Sequence, residues 1–314
     1  MHEPRRIVSL LSSATEILYG LGLEDRVVAV SHECDYPPAV AHKPRVTKSH
    51  VLCGASSRAI DDQVRALAET HQPLYELDVA RLESLRPELI ITQSQCDVCA
   101  VRYDDVLAAT RDSEGLRGVP VIALNPSSLG EVLDDVLRIG EATGALSAAQ
   151  KFAGDLRRRI DRVRELNSKL TPQDRPRTCC IEWLDPPMLA GNWMPEMIAW
   201  AGGTTSVPED GTHSGYCSWE AICDYRPQVV ILMPCGFDLN RTLLEVESLR
   251  EHPGWIALMR GRPRAIFAVD GNAYFNRSGP RLVDSLEILA HLLHPICFGP
   301  PSLVDSHTAW RRLA

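Results

Sequence analysis

The chain has 314 residues, 45% of them hydrophobic and 24% charged, a globular composition with enough residues for two sizeable cores. A formal net charge of -8 argues against a nucleic-acid partner, which needs a basic footprint on the protein. No apolar stretch approaches the roughly 20 residues required to span a bilayer.

In chain order, short β-branched runs alternate with amphipathic helical patterns, as expected for parallel sheets covered by helices. The first half offers strands at Ile7 to Leu11, Val27 to Val30, Leu74 to Leu77, Leu89 to Thr92 and Val119 to Leu124. Its helical patterns are Thr15 to Leu21, Ile60 to Glu69, Tyr103 to Thr110 and Leu129 to Thr143. A longer pattern, Ser147 to Leu170, carries an apolar stripe at Phe152, Leu156, Ile160, Val163 and Leu166. Gly154 interrupts it, leaving Asp155 to Leu170 as an unbroken stretch of about 24 Å at 1.5 Å per residue. Arg157, Arg158, Arg159, Arg162 and Arg164 alternate with the stripe and are expected to form a solvated face. Beyond the Pro-containing loop Thr171 to Pro176 come strands at Thr178 to Trp183, Val229 to Met233 and Ala265 to Val269, and a helix at Pro280 to Leu293.

The expected architecture is an α/β fold of two lobes, with mainly parallel sheets joined by one long helix. The N-terminal lobe spans 1–146, the connecting helix 147–170 and the C-terminal lobe 171–314. Open α/β sheets bind ligands beyond the carboxyl ends of their strands, so facing strand ends would form one ligand cleft between the lobes. A stiff helical connector allows only a small hinge motion.

The chemistry-bearing residues follow those strand ends. His32, Glu33 and Cys34 follow the second strand, Cys96 and Cys99 the fourth; Cys235 ends a strand of the second half, and Trp193, Tyr274 and Phe275 lie on neighbouring loops. Cys34, Cys96, Cys99 and Cys235 could converge as four thiolates suited to zinc or an iron-sulfur cluster. The alternatives are a redox or ligand-contacting role, or thiols that merely line loops. Loop aromatics suit stacking on a large flat ligand, with packing at the lobe's own edge as the competing reading. His32 and Glu33 are candidates for metal ligation or for hydrogen bonds to ligand amides. Nucleophile elbow, Walker loop, dinucleotide fingerprint and HExxH motif are all missing from the sequence. A non-enzymatic binding protein is expected, with a thiol-dependent enzyme the weakest alternative.

The N-terminus runs directly into the first strand without the apolar region of a secretory signal. The 10 cysteines are then better read as thiols or metal ligands than as a disulfide framework, which places the protein in the cytoplasm.

Several segments resemble the cobalamin- and iron-chelate-binding receptors of bacterial ABC importers. In the first half they are Arg6-Ile7-Val8-Ser9-Leu10 with Ala14-Thr15-Glu16, Gly20-Leu21-Gly22, and Cys34-Asp35-Tyr36-Pro37-Pro38. In the second half they are Gly191, Ala201-Gly202-Gly203, Ser218-Trp219-Glu220, and Phe275-Asn276-Arg277-Ser278-Gly279-Pro280-Arg281. The resemblance implies the helical-backbone receptor fold, and it places Tyr36, Trp193, Tyr274, Phe275 and Arg277 around a cobalamin. Receptors of this kind pass their ligand to a permease through an acidic residue on each lobe, for which Glu16 and Glu196 are the candidates. The lack of a leader speaks against that transport role. The four cysteines depart from the family pattern and suggest a cytosolic branch whose cleft holds cobalamin through cobalt, a metal ion or an iron-sulfur cluster.

Overall fold

The computed structural model describes residues 3–52, 54–94, 100–206 and 211–314. The first half contains β1 (Ile7–Ser9), α1 (Ser12–Gly20), β2 (Val27–Val30), β3 (Thr47–Ser49), α2 (Ser57–Glu69), β4 (Tyr75–Leu77), α3 (Val79–Ser84), β5 (Leu89–Gln93), α4 (Tyr103–Asp112), β6 (Val121–Leu124) and α5 (Leu129–Ala142). Four of its strands form a parallel sheet in the order β2-β1-β5-β6. Central β5 is buried along its whole length, which is why Leu89-Ile90-Ile91 reads as a continuous apolar run rather than an alternating one. Ile7, Leu89 and Ile91 pack with residues of α1 and α5, whereas Val8, Leu10 and Ile90 pack with residues of α3 and α4. Successive side chains of a strand point to opposite faces, so the sheet is covered on both sides.

The expected strand at Leu74 to Leu77 forms as β4, but outside this sheet. It pairs antiparallel with β3 in a separate two-stranded ribbon. None of Tyr75, Glu76 and Leu77 is fully buried, so the segment lacks the two covered faces of a parallel-sheet strand. β3, α2 and β4 together form an excursion out of the N-terminal sheet.

After α6 (Leu146–Asn167), the second half contains β7 (Thr178–Leu184), β8 (Pro187–Leu189), α7 (Met194–Trp200), β9 (Gly215–Tyr216), α8 (Trp219–Tyr225), β10 (Val229–Leu232), α9 (Leu239–Ser248), α10 (Pro253–Arg260), β11 (Ala265–Val269), α11 (Leu282–Leu293), α12 (Ser306–Ala309) and β12 (Trp310–Arg312). Its six-stranded sheet has the order β12-β11-β10-β7-β8-β9. The centre, β11-β10-β7, is parallel, and the added strands β12, β8 and β9 are antiparallel. These edge strands are short and carry little apolar pattern, so the sequence did not announce them. The result is the two-lobed α/β fold with mainly parallel sheets and one long helix between them.

Gly154 does not break α6. The helix buries Ala149, Ala153, Leu156, Ile160 and Val163 and packs against α5 and α11. One hydrophobic cluster runs from the α1 side of the first sheet through α5 and α6 to α7 and α11 of the second lobe. The expectation of a fully solvated arginine face on α6 is corrected here. Arg159 donates from Nε to Glu287 Oε1 at 3.0 Å and from Nη2 to Glu287 Oε2 at 2.7 Å, and it also bonds Asp284, both acids being on α11. Arg164 lies 4.7 Å above the Trp200 ring. The helix is thus tied to the second lobe by charge as well as by apolar packing.

Candidate functional site

The carboxyl ends of β1 and β2 in one lobe face the end of β11 in the other, and the side chains there are polar and aromatic. At its N-cap, Asp270 accepts a hydrogen bond from the Ala273 amide at 2.7 Å and starts a π-helical turn, Gly271–Phe275. A Cβ at Gly271 would sit 2.3 Å from the Pro234 carbonyl oxygen, so only glycine lets this turn lie against the loop after β10. The turn delivers Asn272, Tyr274 and then Arg277 to the first lobe.

Arg277 is held almost entirely by that lobe and by its own loop. It bonds Asp35 through both terminal nitrogens, with Nη2 to Oδ2 at 2.8 Å, and Nη2 also donates to Asn272 Oδ1 at 2.8 Å. Asn272 completes the ring by donating from Nδ2 to Asp35 Oδ2 at 2.9 Å. Burial raises the Asp35 carboxyl, but the hydrogen bonds and charge of Arg277 and the Asn272 amide outweigh it and hold the group below its ordinary value.

Deeper in the crevice, Arg281 forks onto Glu16 of α1, with Nε to Oε2 at 3.0 Å and Nη2 to Oε1 at 2.6 Å. Arg277 Nη1 stands 3.8 Å from the same carboxylate. The Glu16 side chain is 3% exposed and that of Arg281 13%. Burial pushes the Glu16 carboxyl above its usual range, partly offset by the hydrogen bond and charge of Arg281 and the charge of Arg277. The close approach depends on Gly279, where a Cβ would fall 2.9 Å from the Ser13 Cβ of the other lobe.

Arg281 also organises two aromatic rings. Its guanidinium carbon lies 4.0 Å above the centroid of Tyr36 and 5.7 Å from that of Tyr274, cation–π geometry that fixes both rings at the crevice. Tyr36 is 43% exposed. Burial and the nearby Asp284 carboxylate push the Tyr274 hydroxyl up to about 12. On the same side, His32 Nδ1 is 2.7 Å from Thr47 Oγ1 and His32 Nε2 is 3.1 Å from Glu33 Oε1. The hydrogen bond from His32 outweighs burial and holds the Glu33 carboxyl below its ordinary range.

Five of the sequence candidates, His32, Glu33, Tyr36, Tyr274 and Arg277, therefore fall around one stretch of crevice. Trp193 and Phe275 do not. Trp193 is buried, its Nε1 donates to the Phe275 carbonyl at 2.9 Å, and Phe275 is fully buried in the same core cluster. An indole with a buried polar tip needs such a partner, which turns the Trp193 ring into the lobe, where the Phe275 ring is buried by core packing. The sequence reading missed Asp35, Asn272 and Arg281 as crevice residues. Arg281 was detectable as a second arginine four residues after Arg277 in the same family-like segment, at the N-cap of α11.

The four-cysteine reading is also corrected. Cys34 is fully buried in the first lobe's core, with Sγ 3.1 Å from Thr15 Oγ1, and burial pushes its thiol up despite that hydrogen bond. A thiol so placed is a poor source of the thiolate that a metal requires. Cys235 is half-buried on the loop after β10, and Cys96 and Cys99 lie outside the described residues. Among the described residues, no group of three or more His, Cys, Asp or Glu is placed to hold a metal ion.

Glu16 is likewise no exposed docking acid, since both of its oxygens are taken by Arg281. Glu196 is half-buried in the first turn of α7. Among the described residues, no helix is long and apolar enough to cross a membrane.

Two α/β lobes, a single connecting helix and a polar, aromatic crevice between strand ends define a ligand-binding receptor of the helical-backbone type. Residues 7–270 match the family described as periplasmic binding protein, and the chain belongs to that family. An uncharacterised ABC transporter substrate-binding lipoprotein of Bacillus subtilis is 24% identical over 94% of this chain and 82% of its own length. A vitamin B12-binding protein of Vibrio cholerae is 23% identical over 90% of this chain and 86% of its own. The solved structure of a periplasmic vitamin B12-binding protein of Vibrio cholerae superposes with a TM-score of 0.66 over 93% of this chain and 98% of that one, at 21% identity. A periplasmic haem-binding protein of Pseudomonas aeruginosa superposes with a TM-score of 0.69 over 95% of each chain, at 20% identity.

Proteins of this family bind substrates for ABC transporters, so the chain is a small-ligand binding protein and not an enzyme. The cytoplasmic expectation is overturned by the same finding. The relatives are periplasmic proteins or, in Bacillus, a lipoprotein, and they work outside the cytoplasm.

Proposed function

We propose that the crevice binds a corrinoid, on behalf of an ABC importer, with Tyr36 and Tyr274 against the face of the macrocycle and Arg277, Asn272, Asp35, His32 and Glu33 at its rim. The observation that carries this reading is the pair of tyrosines disposed around Arg281, next to a rim of both donors and acceptors. A corrin ring is flat and edged with neutral amides. A mixed rim can pair with both ends of an amide, and a polar site built for that pairing discriminates strongly against ligands without it. The vitamin B12-binding relatives support the same ligand class.

Titration calorimetry with cyanocobalamin and, separately, with haem tests the reading. Cobalamin binding with a Kd of about 1 μM or tighter, weakened at least about tenfold by Tyr36→Ala as expected for a lost aromatic anchor, is the expected result. Haem uptake without cobalamin uptake would replace the corrinoid by a porphyrin. Removing Cys235 should leave the affinity unchanged, because the proposal gives no role to cobalt–thiolate bonding.

A further inference from the structure

The β3–α2–β4 excursion stands across the crevice, at the end away from Arg281. α2 buries only Ser57 and Asp61; both are polar, and both are bonded to the opposite lobe. Glu245 of α9 accepts hydrogen bonds at Oε1 from the Ser57 amide at 2.8 Å and from the Ser57 hydroxyl. The Tyr216 hydroxyl of β9 donates to Asp61, whose other oxygen is 2.8 Å from Arg65 Nε. Trp183 at the end of β7 donates from Nε1 to the Ser57 carbonyl at 3.2 Å, and Arg241 reaches the carbonyls of Gly54 and Ala55. Arg58 pairs with Asp185 in the turn after β7. The apolar side chains of α2, Ile60, Val64 and Leu67, are only half-buried, and among the described residues no other helix or strand backs α2 closely.

We propose that the β3–α2–β4 excursion is a cleft-covering arm, latched to the second lobe chiefly by Glu245 capping the start of α2, whose release admits and frees the ligand of the crevice. This rests on the reading of the crevice as the ligand site. The first amides of a helix have no partner within it, and a carboxylate there is favoured by the helix dipole as well. Ser56 caps α2 from within the arm by accepting from the Ala59 amide, but the Ser57 amide is taken by a carboxylate of the other lobe, so that bond serves both the end of the helix and the closure of the cleft. An element fastened by a few polar contacts and little apolar burial opens locally at low cost, whereas α6, packed and ion-paired to α11, leaves little rotation to the lobes. Half-buried Cys235 is the reporter of opening, because Phe237, two residues on, packs on Arg241 at 4.6 Å and on Trp183 at 5.3 Å, the two side chains that hold the carbonyls of Gly54, Ala55 and Ser57.

Hydrogen exchange and alkylation on the full chain test the arm without any ligand. In Glu245→Ala, the peptide covering 57–61 should exchange about tenfold faster, the size expected for a lost buried hydrogen bond, while the α1 peptide stays unchanged. Iodoacetamide labelling of Cys235 relative to exposed Cys297 should rise by a similar factor. Tyr216→Phe, which leaves Asp61 without its phenol donor, is the milder second variant and should move both readings the same way by less. Unchanged exchange at 57–61 would overturn the latch, and faster exchange with unchanged Cys235 labelling would overturn its control of access. With cyanocobalamin as probe, Glu245→Ala should speed dissociation several-fold. A chain that passes both ligand-free tests but takes up no cobalamin retains the arm and loses only the corrinoid reading.

Discussion

The crevice is bridged at both ends, and the two bridges are built on opposite physical terms. At the β11 end, Arg281 and Arg277 meet Glu16 and Asp35 where Gly279 and Ser13 let the two backbones approach. Arg281 caps α11 and Glu16 lies within α1, with Arg277 and Asp35 on the loops beside them, and the innermost carboxylate is nearly inaccessible. At the β7–β10 end, contact comes from an excursion with little apolar burial of its own; around the buried polar group of Ser57, Asp61 and Glu245, the remaining contacts are hydrogen bonds and ion pairs of exposed or half-exposed groups. A buried ion pair is costly to break because the remaining charge cannot return to water, whereas an exposed pair is nearly free to part. The first bridge therefore acts as a fulcrum that fixes the lobes, and the second as a clasp.

The sharpest way to break this comparison is at Glu16. Replacing it with Ala strips buried Arg281 of both hydrogen bonds and of its counter-charge and should lower stability by about 3 kcal/mol or more in urea unfolding. A double variant, Glu16→Leu with Arg281→Met, should cost less than either single change, since it removes both charges and keeps the volume. A loss below about 1 kcal/mol for Glu16→Ala would put the two bridges on the same footing.

The clasp should register less in global unfolding. Glu245→Ala is expected to cost about 1 to 2 kcal/mol, a helix cap plus one buried hydrogen bond, and Arg58→Ala at the exposed pair under about 1 kcal/mol. A larger global loss for Arg58→Ala than for Glu16→Ala would invert the assignment of fulcrum and clasp.

Acid sharpens the contrast in a different way. The Asp35 carboxyl is held below its ordinary value, so its contribution is fully present above the unfolded-state value near about 4 and is lost as pH falls through the lower folded value. Glu16 is displaced upward instead, so the folded chain holds its proton more tightly and Glu16 alone favours folding more as pH falls. Carboxyl titration followed by carbon NMR should show Asp35 titrating below Glu16. The reverse order would mean that Arg277 does not govern Asp35.

These two bridges also mark how far the sequence could be read. Val27 to Val30 and Ala265 to Val269 are strands with the expected bounds, because β-branched runs flanked by turn residues carry their own signal. The rule that ligands bind beyond strand ends places His32, Glu33 and Tyr274 at the crevice, and the family resemblance places Tyr36 and Arg277 there. That rule gives a residue's neighbourhood but not its direction, so Cys34, Trp193 and Phe275 were assigned to the cleft while their side chains turn into the cores. The Ser57–Glu245 pair could not be foreseen, since its members lie 188 positions apart and no local period links them. Arg159 looked like one more charge on a solvated helix for the same reason, its partners being on α11.

The smallest effect concerns neither bridge but the helix between the lobes. Gly154 lies inside α6, where glycine costs about 0.5 to 1 kcal/mol relative to alanine through the freedom of the unfolded chain. A Cβ at this position would meet only Arg158 Nη1, at 3.7 Å, an ordinary contact with the far end of a flexible side chain. Gly154→Ala should therefore raise stability by about that amount in urea unfolding. It should leave hydrogen exchange in α2 unchanged, because the clasp is anchored on α9, β7 and β9 rather than on α6. A stiffer helix that also slowed exchange at 57–61 would mean that the arm opens with the lobes and not on its own.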